Sequence, residues 1–500
     1  MDRRTFLRAS AGAAATWVGA ATAAGTAHAV SGGGHAALVQ SSSAPAASEA
    51  RRISIAVHPE QALGEIPADF LGLGYEISSV ARPGLLSARN TAYVQFVRNL
   101  GRRGVIRIGG NTSDFSSYAK DGPAVCATKG TVVDDAVIRD LGEFLDATGW
   151  QLIWGLNLGS RDLANAVEQA ASMIAATKDK LLAFEIGNEP DLFAGGVAHR
   201  PKGYSYADYL KEYREYKTAL RAKFPKSRFA GPDVASHTDW LTQFAADEGS
   251  DLKLLTHHHY AEGPPTSPAS TIERLLAPSD GLARMLSQCE AASRSAGVPY
   301  RICETNSCFG GGKPGVSDTL AAALWGLDYL LTMASANCAG TNLETGINQL
   351  GFVSSYSPIA DDEAQQPVAK PLYYAMLAFA KAGRGTRVGA QLDANGMNVT
   401  AYAVKDAAGR VFLTMINKGA DADASVLVSL PHSFRKASMM RLAGPSLDSK
   451  TGVTLGGAEV GEEGKWSGGK EESVSIRDGA CEIHLPAASA AILNGQVAST

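Results

Sequence analysis

The stretch 181-LLAFEIGNEPDLF-193 decides the fold. Leu181 to Ile186, apolar except at Glu185, run without polar alternation, which predicts a strand covered on both faces, as in a parallel sheet. Gly187 frees the backbone at its end, and Pro190 forbids further ladder bonding. Asn188 and Glu189 stand between them, at the strand mouth where α/β folds carry their chemistry. From this stretch alone Glu189 is open between a catalytic carboxylate and a loop group capping the next helix.

Similar units run outward on both sides. The strand candidates are 69-DFLGLGYE, 104-GVIRIGG, 151-QLIWGLNLG, 181-LLAFEIGNE, 228-RFAGPDV, 252-LKLLTHHHY, 300-YRICET and 338-CAGTNLET. Between them lie helix patterns such as 134-DDAVIRDLGEFLDATG, 206-YADYLKEYREYKTALRAKF and 317-SDTLAAALWGLDYLL, the last with Ser317 as its expected N-cap. Eight alternating β and α units predict a (β/α)8 TIM barrel; a doubly wound dinucleotide fold is disfavoured, because no G-x-G-x-x-G follows an early strand. After about Lys381 the texture changes to short alternating runs with Gly and Asp turns (397-MNVTAYAVKD, 410-RVFLTMINKG, 425-SVLVSLP, 481-CEIHLP, 489-SAAILNG). These predict a C-terminal antiparallel β-sandwich domain. The expected division is a catalytic barrel over 51–383 and a sandwich over 384–500, with 51–58 open between the two.

The chain of 500 residues is 45% hydrophobic and 19% charged, a globular composition, and its formal net charge of −4 gives no bulk attraction to nucleic acid or anionic membranes. The N-terminus, 1-MDRRTFLRASAGAAATWVGAATAAGTAHA, joins Arg3 and Arg4 to a moderately apolar stretch and the small-residue site Ala27-His28-Ala29. This pattern predicts a twin-arginine signal peptide over 1–29, a periplasmic or secreted protein and no membrane contact after signal removal. Residues 30–50 read as a flexible linker. Six scattered cysteines show no metal spacing, and free thiols and disulfides are equally open.

The strand ends carry Glu76, Asn111, Asn157, Glu189, Asp233, His259 with Tyr260, Glu304 and Glu344. Opposed carboxylates across a barrel mouth suit glycoside hydrolysis, one attacking the anomeric carbon and the other protonating the leaving oxygen. Glu189 and Glu304 are the sharpest pair.

The segments 150-WQLIWGLNLGS, 183-AFEIGNEPD and 303-CETNSCFGGGKPGVSDTLAAALWGLDYL resemble glycoside hydrolase family 79, the β-glucuronidase and heparanase family. So do 107-RIGGNTSDF, 256-THHHYAEG, and 356-YSPI with 371-PLYYAMLAF, in the same order. The resemblance implies Glu189 as general acid/base and Glu304 as nucleophile. It implies contact of Tyr260 with the nucleophile, of Asn188 with the sugar's 2-hydroxyl, and of Glu76 and Asn111 with other hydroxyls. It also implies that Gly310 and Gly311 hold a uronate carboxylate, with Tyr356 as a further donor and Phe309 where the family has a tyrosine. Glu344 stands where a neutral or basic group is expected. The implied activity is an exported retaining β-glycosidase acting on a carbohydrate or glycoside, first of all a β-glucuronidase releasing glucuronic acid or its 4-O-methyl ether, without cofactor. An endo-acting heparanase-like enzyme and a neutral-sugar exo-glycosidase are the alternatives within the class, and a non-catalytic carbohydrate-binding protein is the alternative outside it.

Other groups receive structural readings. No metal is expected at 257-HHH, because neighbouring strand residues point to opposite faces. Asp233 is read as a cap of the next helix, Arg107 as a buried ion-pair partner, and Cys303 and Cys308 as packed thiols. Lys313 is open between solvent and an anionic substrate.

Overall fold

The computed structural model describes residues 50–127, 129–195, 200–346, 354–362 and 366–497. The expected export segment 1–29 and the linker up to residue 49 lie outside the described residues. Eight parallel strands close into a barrel: β2 (Leu71–Glu76), β3 (Val105–Gly109), β4 (Gln151–Leu156), β5 (Leu181–Ile186), β6 (Phe229–Val234), β7 (Leu252–Glu262), β8 (Tyr300–Cys308) and β9 (Thr341–Glu344). Every predicted run supplies one strand, in chain order around the ring, with β9 closing onto β2. Apolar runs suffice because helices cover the outer face and the inner face is itself packed; all nine residues of β8 are buried.

The barrel interior has two levels. Its floor is apolar, with Val105, Ile153, Ala183, Ala230, Leu254 and Cys303 in one cluster. Above it, glycines make room for long polar side chains. A Cβ at Gly109 would lie 2.7 Å from the Arg107 guanidinium carbon, and one at Gly74 would lie 2.5 Å from Glu344 Oε2. The alternation 71-LGLGYE therefore lines the barrel with empty space that polar groups of neighbouring strands occupy.

The helices follow their local signals with one displacement. Asp134 caps helix Asp135–Thr148 through Val137 N, and Gly149 ends it at φ 80°. Ser205 and Asp208 form a reciprocal capping box on helix Tyr206–Lys223. Ser317 is not an N-cap. Helix Leu320–Ser335 begins after Thr319, and the Ser317 hydroxyl instead accepts Lys313 N at 2.9 Å, closing the turn that follows the glycine run. Helices Leu320–Ser335 and Pro371–Ala382 are buried nearly all round, as elements between two layers must be.

The second unit is one curled mixed sheet rather than a purely antiparallel sandwich. Its long strands are β1 (Arg51–Ile66), β10 (Gly385–Asp393), β11 (Val399–Lys405), β12 (Val411–Asn417), β13 (Ala424–Ser429), β14 (Phe434–Ala443), β15 (Ala480–Leu485) and β16 (Ser489–Val497), in the order β14-β16-β12-β11-β10-β1-β13-β15. The strand β1 pairs antiparallel with β10 and parallel with β13. A parallel pair needs a long crossover, and here the whole barrel lies between β1 and the rest of the sheet. Ile53, Ile55 and Val57 join Val426, Leu413 and Leu493 in its core. Asp328, on helix Leu320–Ser335, ties the units together by accepting from Thr400, Tyr402 and Lys418.

Candidate active site

The C-terminal ends of β5 and β8 bring Glu189 and Glu304 face to face. After Gly187 (φ 81°) the chain keeps turning in the left-handed region at Glu189 (φ 50°), and Asp233 near the end of β6 adopts the same region (φ 61°). A non-glycine residue there costs about 1–3 kcal/mol. Backbone bonds hold the turn: Glu189 N donates to Asp233 O, and Leu192 N to Glu189 O, both at 2.9 Å. Glu189 is 2% exposed and Glu304 3%, so both carboxyls are shielded from bulk water. Glu304 accepts from Arg107 Nη1 through Oε2 and from the Tyr260 hydroxyl through Oε1, each at 3.0 Å. One oxygen of each carboxyl and a ring nitrogen of His258 lie within 4.8 Å of one another.

Two cations organise the surrounding charge. Arg107 donates through Nε to Glu185 at 3.0 Å, and through Nη2 to Asn188 Oδ1 at 2.9 Å and to Asp233 Oδ2 at 2.5 Å. His258 lies between Asp233 Oδ1, 2.7 Å from Nε2, and Glu189 Oε1, 2.9 Å from Nδ1, and its Nδ1 is 3.7 Å from Glu304 Oε2. Burial disfavours its charged form, but Asp233 and Glu304, with the hydrogen bonds to Asp233 and Glu189, raise its pKa to about 10. His258 is therefore an imidazolium that donates in both directions. In this cluster both ring nitrogens of His258 already face carboxyl oxygens.

Six carboxyls (Glu76, Glu185, Glu189, Asp233, Glu304 and Glu344) crowd these two cations, so they cannot all ionise. Burial pushes Asp233 up, but Arg107 and His258 outweigh it and bring it down to about 2. Burial and Asp233 push Glu185 up to about 7. Burial and Glu304 push Glu76 to about 7, against the pull of its bonds to Thr112 and Asn111. Glu344 is raised well above the usual carboxylate range, by burial first and then by Glu304 and Glu76.

The other expected contacts fall as follows. Glu76 accepts from Asn111 N at 3.1 Å, Thr112 N at 2.8 Å and the Thr112 hydroxyl at 2.7 Å. Asn188 is buried, with its Oδ1 on Arg107, its backbone N on Asp114 Oδ2 at 3.1 Å, and no partner for Nδ2 among the described residues. Phe309 packs edge-on against Tyr260 with ring centres 6.4 Å apart, and Tyr260 also faces Tyr356 at 6.2 Å. Gly310, Gly311 and Gly312 all have positive φ, and Gly311 O accepts Ser355 N at 2.7 Å, which docks the glycine run against Tyr356. A cavity of about 460 Å³ opens beside His258, Tyr260, Glu262 and Phe309. The larger one, about 740 Å³, lies away from this chemistry, between Gln366–Pro371 and Glu459–Glu463.

Several readings change. Asp233 does not cap the following helix, where His237 occupies that position; it is the shared anion of Arg107 and His258. His259 turns outward onto Tyr329, while His258, in step with Tyr260, enters the site. Asn157 donates to Ser116 O and serves the loop. Lys313 donates to the carbonyls of Ser267 and Ser270, 2.8 Å each, which anchor it to the loop after β7. Arg107 is the expected buried ion-pair partner, and it orders three carboxylates. Cys303 and Cys308 are buried, and all six cysteines are free. The signal that could have found His258 was strand parity, since Tyr260 two residues on was already placed at the mouth.

Comparison with known proteins agrees with this geometry. The profile of the glycosyl hydrolase family 79 N-terminal domain matches residues 103–331, and that of the family's C-terminal beta domain matches 401–492. A β-glucuronidase of Aspergillus niger is 28% identical over 483 residues, covering 82% of this chain and 87% of that protein. A heparanase of Bos taurus is 29% identical over 203 residues, 37% of this chain and 36% of that protein. Among solved structures, a 4-O-α-L-rhamnosyl-β-D-glucuronidase from Fusarium oxysporum superposes with a TM-score of 0.72 at 20% identity, covering 88% of this chain and 99% of that one. A GH51 arabinofuranosidase from Xanthomonas axonopodis pv. citri does so at 0.65 and 15% identity, covering 89% and 100%, a likeness of fold. With two consecutive domains matched and a carboxyl pair at the barrel mouth, the chain belongs to glycosyl hydrolase family 79 and is a glycoside hydrolase.

Proposed function

We propose that the protein is a retaining β-glucuronidase, exported by the twin-arginine route, that works by double displacement with Glu304 as nucleophile and Glu189 as acid/base. The observation that carries the mechanism is the separation of the two carboxyls, with oxygens inside 4.8 Å. Retaining enzymes hold this pair about 5–5.5 Å apart, whereas inverting enzymes leave about 6.5–9.5 Å for a water. Glu304 attacks the anomeric carbon as the glycosidic bond breaks, and Glu189 gives its proton to the departing oxygen. Water then attacks the glycosyl-enzyme, Glu189 takes a proton from it, and Glu304 leaves.

The hydrogen bonds fit these roles. His258 holds Glu189 Oε1 as an acceptor, so the proton that an acid must carry sits on Oε2. In the first step negative charge leaves Glu304 and arises on Glu189, and the His258 imidazolium faces both. A fixed cation between donor and recipient of that charge needs no rearrangement during the step. Asn188 Nδ2 is a buried donor awaiting a partner, as a 2-hydroxyl contact requires.

Support for a uronide comes from the β-glucuronidase relatives and from the run Phe309–Gly312, whose backbone can approach a carboxylate closely. Glu344 does not argue against a uronide, because a carboxyl held neutral does not repel one. Export is supported by Arg3 and Arg4; among the described residues no helix is long and apolar enough to cross a membrane.

The test is a panel of aryl β-glycosides (glucuronide, glucoside and xyloside), with NMR of the first-formed anomer and labelling by a cyclitol aziridine. Preferred cleavage of the glucuronide, a β product and a label on Glu304 are expected. An α product or a label elsewhere refutes the mechanism, and preference for the glucoside refutes the substrate.

A further inference from the structure

Three consecutive strands of the closed barrel, β8, β9 and β2, carry carboxyls at the mouth: Glu304, Glu344 and Glu76. Two of them are accounted for by protein partners. Glu304 is held by Arg107 and Tyr260, and Glu76 accepts three hydrogen bonds from Asn111 and Thr112. Glu344 is only 2% exposed, and neither of its carboxyl oxygens has a hydrogen-bond partner among the described residues. Buried polar groups left in this state are uncommon, and each requires a reason.

The chain fixes the backbone of this residue in place. Asn306 Nδ2 donates to Glu344 O at 2.9 Å and to Tyr356 O at 3.2 Å, and Glu344 pairs in register with Gly74 of β2. The carboxyl lies against that glycine, where a Cβ would stand 2.5 Å from Oε2. A side chain at position 74 would displace it, so the sequence keeps a gap in β2 for a group without a hydrogen-bond partner among the described residues. Burial, Glu304 and Glu76 favour its neutral form, the form that can donate a hydrogen bond. In the ring of eight, β9 stands four strands from β5, so Glu344 faces Glu189 across the barrel. Glu189 must meet the glycosidic oxygen at C1. A group opposite it meets the far edge of the same ring, where the C4 oxygen projects.

We propose that Glu344 is a substrate-binding, specificity-determining residue that donates a hydrogen bond to the C4 oxygen of the sugar whose anomeric carbon Glu304 attacks. The proposal rests on the site reading above, but not on which C5 substituent the sugar carries. A donor accepts either a free hydroxyl or a methyl ether at C4, since both offer a lone pair. That suits 4-O-methylated uronides as well as plain ones.

The test uses the full chain with an aryl β-glucuronide and its 4-deoxy analogue, on wild type, Glu344→Gln and Glu344→Met. For wild type the 4-deoxy analogue should lose roughly tenfold or more in kcat/KM, the worth of a lost buried hydrogen bond. Glu344→Met should lose a similar factor on the parent substrate but change the analogue less than about threefold, while Glu344→Gln, which keeps a donor, stays between. The Tm of Glu344→Met should hold or rise, because an apolar group of similar shape replaces an unpartnered polar one. Equal loss on both substrates, a falling Tm, or failure of both variants to fold overturns the proposal, since Glu344 would then support the fold rather than the ligand. If wild type prefers an aryl glucoside, the uronide reading fails by itself, and the same comparison is made with the 4-deoxyglucoside.

Discussion

Asp233 and His258 are joined at 2.7 Å through Oδ1 and Nε2, and the other ring nitrogen of His258 reaches Glu189. The acid/base proposed for the reaction is thus oriented by a cation that is itself held by an anion. Arg107 closes the circle by binding Asp233 and Glu304. Four strands meet in this network, so a change at one member reaches the carboxyl pair.

The network makes stability depend on pH. The pKa of His258 is raised from 6.5 to about 10, so its contribution is complete below about 6.5 and is lost as pH climbs through about 10. Asp233 is lowered from 3.8 to about 2, so its contribution is complete above 3.8 and is lost as pH falls through about 2. Calorimetry should show Tm falling on the alkaline side. Asp233→Asn should lower stability by about 3–5 kcal/mol and start the alkaline fall at lower pH. An unchanged alkaline profile in the variant would dissociate Asp233 from the charge on His258.

Removing the proposed acid should discriminate between leaving groups. General acid–base catalysis contributes about 10²–10⁴-fold. Glu189→Ala should lose about that factor on substrates with poor leaving groups and far less on activated aryl glycosides. Azide should restore part of the latter by replacing the activated water. Steady-state rates across a series of aryl leaving groups check this, and a uniform loss without azide rescue counts against the role.

Tyr260→Phe removes the hydroxyl that donates to Glu304 Oε1 at 3.0 Å. A hydrogen bond to a charged group contributes about 1.5–3 kcal/mol, so kcat/KM should fall roughly 10- to 100-fold while Tm stays close to wild type. An unaltered kcat/KM would mean that the bond does nothing in the transition state.

Phe309→Tyr adds a phenol next to Tyr260 and the glycine run. If a uronate lies there, kcat/KM for the aryl glucuronide should rise about tenfold or more, by the same hydrogen-bond arithmetic. The aryl glucoside should change little, because its hydroxymethyl group carries no charge. A fall on the glucuronide would show that the ring at position 309 packs against a less polar substituent.

The eight strands could be read from sequence because each is a short run whose chemistry changes abruptly at its end, as 181-LLAFEI does at Gly187. The placement of Glu189 and Glu304 at strand mouths could be read for the same reason. Of their charged supports only Arg107 was legible, as a buried ion-pair partner; that Arg107, Asp233 and His258 meet, from strands 126 and 25 residues apart, is a juxtaposition that only barrel closure creates. Asp233 looks like a helix cap locally, since acidic residues before helices usually are, and its partners lie on other strands. Ser317 looks like an N-cap until the Lys313 turn claims its hydroxyl. The upward push on the Glu344 pKa comes from burial and from crowding by Glu304 and Glu76, and no spacing in the chain encodes that.

The strand β1 shapes how the molecule comes into being. Emerging from the ribosome, β1 has neither neighbour available; Glu65 bonds to Thr386, 321 residues later. It must wait through synthesis of the entire barrel before β10 and β13 arrive on either side. Closing so long a loop costs little more than closing a shorter one, because the entropy grows only with the logarithm of length, but such distant pairing is slow. The barrel is in effect a length of thread whose beginning is sewn into the fabric at its end. Fragments that omit 51–66 would leave β10 and β13 without the seam between them, and proteolytic nicks inside the barrel need not release the pieces. Residues 51–66 and the strands after Gly385 have to be present together before the second unit is finished.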